Sequence, residues 1–343
     1  MKELYLVTGA TGHLGNTIIK SLRKSKKTVR ALVLTNDNTD VEFDSDVEII
    51  RGDTTNKETL IPFFKTEDEN IDVYVIHTAA IVSIASKTNK NLYNVNVNGT
   101  KNVVDLCMEY GVKRLVHVSS VHAIEEKPIG EVITEVYSFN PDLVKGPYAK
   151  SKAAATKYVL DQTKKGLNAV VVHPSGIVGP NDYGKGHLTQ LIISVAGKKL
   201  PAYVDGGYDF VDVRDVTKGI IKALKNGKSG ECYILGNKYY TIKELLDLIT
   251  KVLNVKQIKT KIPIWLASVI APFSEMYAKV AKVPPLYTPY SLYTLKSNSL
   301  FSHDKASNVL KYTPRPMEET VEDTVDFLEK RKRIKIKRMV STI

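Results

Sequence analysis

Tyr148 and Lys152 stand four residues apart in the run Tyr148-Ala149-Lys150-Ser151-Lys152, a spacing that places both on one face of a helix. A phenol titrates near pH 10. Acid or base work near neutrality needs a shift of about three units, which corresponds to roughly 4 kcal/mol. A neighbouring ammonium favours the phenolate, so the pair is suited to moving a proton. Val118-Ser119-Ser120 closes an apolar run, where a hydroxyl can donate to an oxygen as negative charge develops on it. A third motif, TGATGHLG from Thr8 to Gly15, spaces Gly9, Gly12 and Gly15 evenly between an apolar run and a helix-like segment. Glycines there remove side chains where the backbone must turn, approach a diphosphate and pack helix on strand, and the helix N-terminus offers free N–H groups. Each motif also has a plain reading as a solvated face, a helix cap or a structural turn. Their order along one chain is what argues for a site.

The elements that must position these residues follow from periodicity. Apolar runs at 4–7, 28–34, 47–51, 73–78, 114–119 and 169–173 read as buried strands. Helical patterns lie between them, at 14–22, 60–65, 97–110 and 148–165. The expected fold class is α/β, a Rossmann-type doubly wound parallel sheet with a smaller C-terminal substrate-binding region. Beyond Pro174 the composition shifts toward Gly, Pro and Tyr. This suggests a dinucleotide-binding domain over 1–175, a substrate-binding region over 176–330 and a basic tail over 331–343. A helix at 213–225 and a strand at 232–235, within a stretch near 208–240, are expected to return to the first domain.

The 343 residues include two cysteines, Cys107 and Cys232, with no Cys/His cluster, so neither a disulfide framework nor a metal site is expected. No secretory signal opens the chain and no apolar run reaches bilayer length, so a soluble cytoplasmic protein is expected. Seven basic and no acidic residues occupy 330–343, leaving only +5 of the +12 formal charge on the preceding 329 residues. That distribution argues against nucleic acid as a partner. The tail is expected to be solvated, with weak contact to an anionic membrane surface as the alternative.

TGATGHLG, HTAA at 77–80, NVNGT at 96–100, VSS, YAKSK and FVDVRDV at 210–216 together resemble the extended short-chain dehydrogenase/reductases of the epimerase/dehydratase superfamily, over about residues 4–220. HPSGIVGP, the segment 284–286 and FSHDKA are more similar to the dihydroflavonol reductase and 3β-hydroxysteroid dehydrogenase branch, whose substrates are apolar alcohols and ketones. The resemblance implies an NAD(P)-dependent oxidoreductase acting on a carbonyl or secondary alcohol. It makes Tyr148 the acid/base and Lys152 the residue that lowers its pKa and holds the nicotinamide ribose. Ser120 would orient the carbonyl, with Ser119 as the alternative. The implied cofactor set is Thr8, Gly9, Thr11, Gly12, His13, Leu14 and Gly15 in the first loop; Leu34, Thr35 and Asn36 after the second strand; and Asp53 and Thr54 toward the adenine. Ala79, Ala80, Asn96, Ser119, Pro174, Gly176 and Ile177 complete it, with Tyr148 and Lys152 themselves.

The end of the second strand offers neither an acid for a ribose hydroxyl nor an arginine for a 2′-phosphate, and Asp37 lies one turn further along. NADP(H) is slightly favoured over NAD(H), because no acid repels the phosphate. Val121-His122 stands where related dehydratases carry an acidic pair, and no arginine marks 180–181 or 208–209, which counts against a nucleotide-sugar substrate. A nucleotide-sugar epimerase and a non-catalytic dinucleotide sensor remain the rival readings. His13, His77, His117 and His122 are expected to be structural or pocket-lining. The apolar segment from Ile262 is expected to roof a hydrophobic pocket or to form a core helix. The family resemblance further implies a homodimer joined through the helices at 97–110 and 148–165.

Overall fold

The computed structural model describes residues 2–335 apart from 69, 87, 88, 185, 270 and 272–287. Strands β1 (Lys2–Thr8), β2 (Thr28–Val33), β3 (Glu48–Arg51), β4 (Ile71–His77), β5 (Arg114–Val118) and β6 (Ala169–Pro174) alternate with helices. Between them lie α1 (His13–Lys24), α2 (Ile61–Phe64), α3 (Lys90–Tyr93), α4 (Thr100–Glu109) and α5 (Pro147–Thr163). After β7 (Gly176–Val178) come α6 (His187–Ala196), β8 (Tyr203–Val204), β9 (Gly207–Asp212), α7 (Val213–Asn226), β10 (Cys232–Leu235), β11 (Lys238–Thr241), α8 (Ile242–Val252) and β12 (Lys261–Ile262).

The main sheet has seven strands in the order β10-β6-β5-β4-β1-β2-β3, and every pairing is parallel. Strand order reverses between β1 and β4, the place where doubly wound sheets open a crevice beyond their carboxyl ends. The register aligns Thr8 with His77 and His77 with His117, so the loops after β1, β4 and β5 emerge side by side. Both faces of the sheet are covered. Val103, Leu106, Ala153 and Val159 of α4 and α5 pack on one face, and Ile18, Ile19, Ile220 and Leu224 of α1 and α7 on the other. In α1, Ile18, Ile19 and Leu22 recur on a single stripe, while Arg23 and Lys24 complement the negative end of the helix dipole. Each such aliphatic side chain, fully buried, contributes about 1.5–3 kcal/mol.

A second module packs β7, β9 and β11, paired in the order β11-β9-β7, against α6, α8 and a helix at Met317–Lys330. The FVDVRDV motif joins the two bodies. Asp212 caps α7 by accepting from the Arg214 backbone N–H at 2.7 Å, and buried Asp215 pairs with Arg315 at 2.9 Å.

Two expectations need correction. The helix expected over 97–110 begins as a π-helical turn, Asn94–Gly99, before continuing as α4. The start of the basic tail is only partly solvated: Arg331, Lys332 and Lys335 are exposed, but the Arg333 guanidinium donates to the carbonyls of Asp182 at 2.6 Å and Gly184 at 2.8 Å, and Ile334 is buried. Residues 336–343 of that tail, the segment 284–286 and 272–280 of the apolar segment lie outside the described residues. Among the described residues no helix is long and apolar enough to cross a membrane, no metal-binding cluster occurs, and Cys107 and Cys232 are free and buried.

Candidate active site

At the end of β1 the backbone turns through Gly9, whose φ of +65° favours glycine. A Cβ on Gly9 would lie 2.8 Å from the Ala79 nitrogen, so the loops after β1 and β4 touch at the point where strand order reverses. A Cβ on Gly15 would collide with the Gly9 carbonyl oxygen. Gly12 is exposed; as the residue before α1 it makes no side-chain cap, and the first helical turn holds no acid. A positive helix end with no acid in its first turn fits a dinucleotide diphosphate.

Other members of the expected cofactor set are engaged differently. Thr8 is fully buried, and its hydroxyl bonds His77 Nδ1 at 2.8 Å and accepts from the Thr78 and Ala79 backbone N–H groups, so it ties β1 to β4. His13 Nε2 bonds the Pro180 carbonyl at 2.9 Å, holding that loop to α1. Leu14 packs into the core face beside α1. Thr11 donates to Asp37, which therefore reaches the glycine loop although the sequence set it one turn too far. Burial raises the Asp37 carboxyl, but hydrogen bonds from Thr11 and Thr39 and the charge of Arg51 outweigh it and leave the pKa below the ordinary value.

Leu34, Thr35 and Asn36 are exposed at the end of β2, where Arg51 donates to the Leu34 carbonyl at 3.0 Å. Arg51 is a cation the sequence reading missed, because it comes from the neighbouring strand. Asp53 accepts from Thr55 N–H at 2.8 Å, while Thr54 is buried against Gly99. Ala79 and Ala80 are half-buried in the loop after β4. Pro174 ends β6, whereas Gly176 and Ile177 open β7, where Gly176 is held against Phe210.

The π-helical turn at 94–99 carries buried Asn96, whose side chain bonds both backbone groups of Ile81 and donates to Ser151 Oγ at 3.0 Å. Ser151 donates in turn to the Tyr148 carbonyl at 2.7 Å. Asn96 thus fixes the loop after β4 against the first turn of α5. Pro147 begins that helix, where a missing N–H costs nothing.

Tyr148 is 8% exposed, and the Ser120 side chain lies near enough to its phenol to favour the phenolate. Ser119 Oγ instead bonds Thr156 at 2.6 Å inside the α5 packing. The two serines are adjacent on the chain but only Ser120 meets the phenol. Lys152 is 5% exposed and donates to the Val118 carbonyl at 2.9 Å.

Burial pushes Tyr148 up to about 12, partly offset by Ser120, and pushes Lys152 down to about 8. The ammonium is committed to a carbonyl at the end of β5, and desolvation dominates the phenol.

Beside this group lies a cavity of about 430 Å³ walled by Val121, Ile124, Ile133, Tyr208, Tyr290 and Phe301, among others. His122 lines it, with its ring centroid 5.9 Å from that of Tyr148 and its Nε2 2.9 Å from the Tyr208 hydroxyl. Burial holds His122 down to about 4, so it is neutral at physiological pH. His77 and His117 stack beneath the site, and burial drives both below the usual imidazole range. The described part of the apolar segment from Ile262 does not wall this cavity. Ala267 and Ala271 pack with Val204 and Leu292, while Trp265 and Val269 are exposed. That part of the wall comes instead from Tyr290 and Tyr293, which no local motif announced, and from Phe301, the first residue of FSHDKA.

A parallel sheet with a glycine cradle at its switch point, and a Ser, Tyr and Lys group beside it, defines a dinucleotide-dependent enzyme of the extended short-chain dehydrogenase/reductase type. The chain belongs to the NAD dependent epimerase/dehydratase family, whose model matches residues 5–236. It is 29% identical over 78% of its length to a putative dihydroflavonol 4-reductase of Synechocystis sp., covering 77% of that protein. It is 30% identical over 90% of its length to a 4-hydroxy-2-methyl-3-oxo-4-farnesyl-3,4-dihydroquinoline-1-oxide ketoreductase of Stigmatella aurantiaca, covering 91% of it. The solved structure of gox2253 superposes with a TM-score of 0.83 at 31% identity, covering 97% of this chain and 99% of that one. The chain is an NAD(P)-dependent oxidoreductase.

Proposed function

We propose that this chain reduces, and in reverse forms, the carbonyl of an apolar small molecule. Tyr148 is the acid/base, Ser120 the donor to the substrate oxygen and Lys152 the buried cation behind them. The observation that carries this reading is the convergence of buried Ser120, Tyr148 and Lys152 beside a cavity lined by His122, Tyr208 and Tyr290.

Burial keeps the phenol protonated at neutral pH, so Tyr148 enters a reduction already holding the proton it must give. Ser120 donates to the same substrate oxygen as charge builds on it. Lys152, with a pKa near 8, remains cationic at physiological pH and stands close to the phenol through the first turns of α5. The nicotinamide, when bound, supplies or accepts the hydride, and its oxidised ring carries a positive charge that favours phenolate. Gly9, Gly12, Gly15 and the N-terminus of α1 would hold its diphosphate.

Val121, Ile124, Ile133 and Phe301 give the cavity an apolar side, while Glu125, Glu126, Lys127, Lys145 and Asn298 line it as well; the apolar side supports a substrate with an apolar body, as does the farnesyl-bearing compound in the name of the Stigmatella aurantiaca ketoreductase. NADP(H) is the preferred cofactor in this reading. The cation at the end of β2 is Arg51, and both Asp37 oxygens are already engaged with Thr11 and Thr39. Two copies would associate through α4 and α5, and sedimentation at micromolar concentration checks that.

The direct test is Tyr148→Phe, assayed by cofactor oxidation across apolar ketones. Turnover should fall by roughly a hundredfold or more, with dinucleotide affinity unchanged by fluorescence titration. Undiminished turnover would overturn the assignment.

A further inference from the structure

Three phenols wall the cavity, and two of them are satisfied. Tyr208 bonds His122 at 2.9 Å, and Tyr293 donates to Glu126. Tyr290 differs: it is 8% exposed, and its buried hydroxyl has no hydrogen-bond partner among the described residues. A buried hydroxyl left unpaired is costly, and native structures reserve such groups for a ligand or an ordered water.

The position of this ring is specified rather than incidental. Gly146, the residue before α5, has φ +95°, and any Cβ there would collide with the Tyr290 ring. The chain gives up a side chain two residues ahead of Tyr148 to seat it. Thr288 caps the helix Pro289–Lys296 and donates to the Ile84 carbonyl at 2.7 Å, and the Tyr290 N–H reaches Ser86 Oγ at 3.3 Å. These bonds hold the ring against the loop after β4. Tyr148 and Tyr290 flank one imidazole, with ring centroids 5.9 and 6.3 Å from that of His122. Burial, reinforced by Tyr148 and Tyr293, raises the Tyr290 phenol, so it stays a donor throughout the physiological range.

We propose that Tyr290 is a substrate-binding residue whose hydroxyl pairs with a second oxygen of the substrate, a hydroxyl or carbonyl set one or two carbons from the reacting centre. The substrate class is therefore an apolar ketone or alcohol with a neighbouring oxygen function. This rests on the assignment of Tyr148 above. His122 and Tyr208, bonded to each other, form the wall between the two phenols and present no competing free hydroxyl.

The probes are 2-hydroxyacetophenone and acetophenone, which differ only in the neighbouring oxygen, titrated calorimetrically into the full chain saturated with NADP⁺. The wild-type protein should bind the hydroxylated probe about tenfold more tightly, the size of one net hydrogen bond. Tyr290→Phe keeps the ring against Gly146 and should abolish that preference while leaving acetophenone affinity unchanged. Equal affinities in the wild-type protein, binding of neither probe, or a preference that survives in Tyr290→Phe would each overturn the proposal. Tyr148→Phe should keep the preference. Loss or retention of its turnover reports separately on the catalytic assignment.

Discussion

The glycine cradle and the substrate cavity face the same crevice but are built in opposite ways. The cradle is eight consecutive residues, Thr8 to Gly15, in which the backbone would do the binding and side chains at its glycines are excluded by contacts within the loop or with its immediate neighbour after β4. The cavity is assembled from side chains near positions 121–149, 208 and 290–301, brought together only when β9 and the C-terminal helices pack against the sheet. A locally encoded site tolerates little change at one position. A dispersed one can change its specificity residue by residue.

Substitution at Gly15 probes the first half of that contrast and should have the largest effect. In Gly15→Val the new side chain strikes the Gly9 carbonyl, so the helix must withdraw from the loop. Dinucleotide affinity should fall by roughly a hundredfold or more, measured by fluorescence titration, with a circular dichroism melt to separate this from unfolding. Retained affinity would mean that the cradle is not where the diphosphate binds.

The contrast sharpens at Arg51, which serves the cradle side from the end of β3 rather than from the loop itself. Arg51→Ala should raise the KM for NADPH about tenfold and leave that for NADH nearly unchanged. A parallel rise in both would show that the arginine supports the fold of the β2 end instead of reading a phosphate.

The smallest expected effect lies under the cavity, at Asp209 of β9. Its Oδ1 accepts from Ser175 at 2.5 Å and from the Asn237 N–H at 2.9 Å, but Oδ2 is buried without a partner among the described residues. Burial raises this carboxyl to about 6, against the hydrogen bonds of Ser175 and Asn237. The unfolded chain therefore holds fewer protons than the folded one between about pH 4 and 6, and stability falls as pH rises through that window. Asp209→Asn should remove that slope and raise the melting temperature at pH 7.5 by a few degrees, corresponding to about 1–2 kcal/mol. At pH 4 it should change little. An unaltered pH slope would place the charge elsewhere.

The same contrast explains how much could be read from the chain. The parallel sheet, the glycine loop and the order of Ser120, Tyr148 and Lys152 were legible because each is a short-range pattern: apolar runs of strand length, glycines at fixed offsets, two residues one helical turn apart. The π-helical turn at Asn94–Gly99 was not, since its extra residue per turn follows from the bonds of Asn96 to Ile81 and Ser151, which are tertiary. Thr8 was expected at the cofactor, yet its hydroxyl is used by His77 one strand away. The choice between Ser119 and Ser120 rests on which hydroxyl meets the phenol and which enters the α5 packing, a matter of backbone direction at the end of β5. Tyr290 carries no motif at all; it stands out only in the folded protein, by its unpaired hydroxyl and by the collision its ring would make with a side chain at 146.

The account turns on the protonation of Tyr148: burial raises its pKa, so the phenol of the protein alone keeps its proton and is ready to give it to a carbonyl oxygen. Nuclear magnetic resonance of protein labelled with [13Cζ]tyrosine, compared with Tyr148→Phe to assign the signal, measures this directly. The account predicts that Tyr148 remains protonated to beyond pH 10 without dinucleotide, in keeping with a pKa near 12. Ionisation of that signal near pH 7 in the protein alone would contradict it.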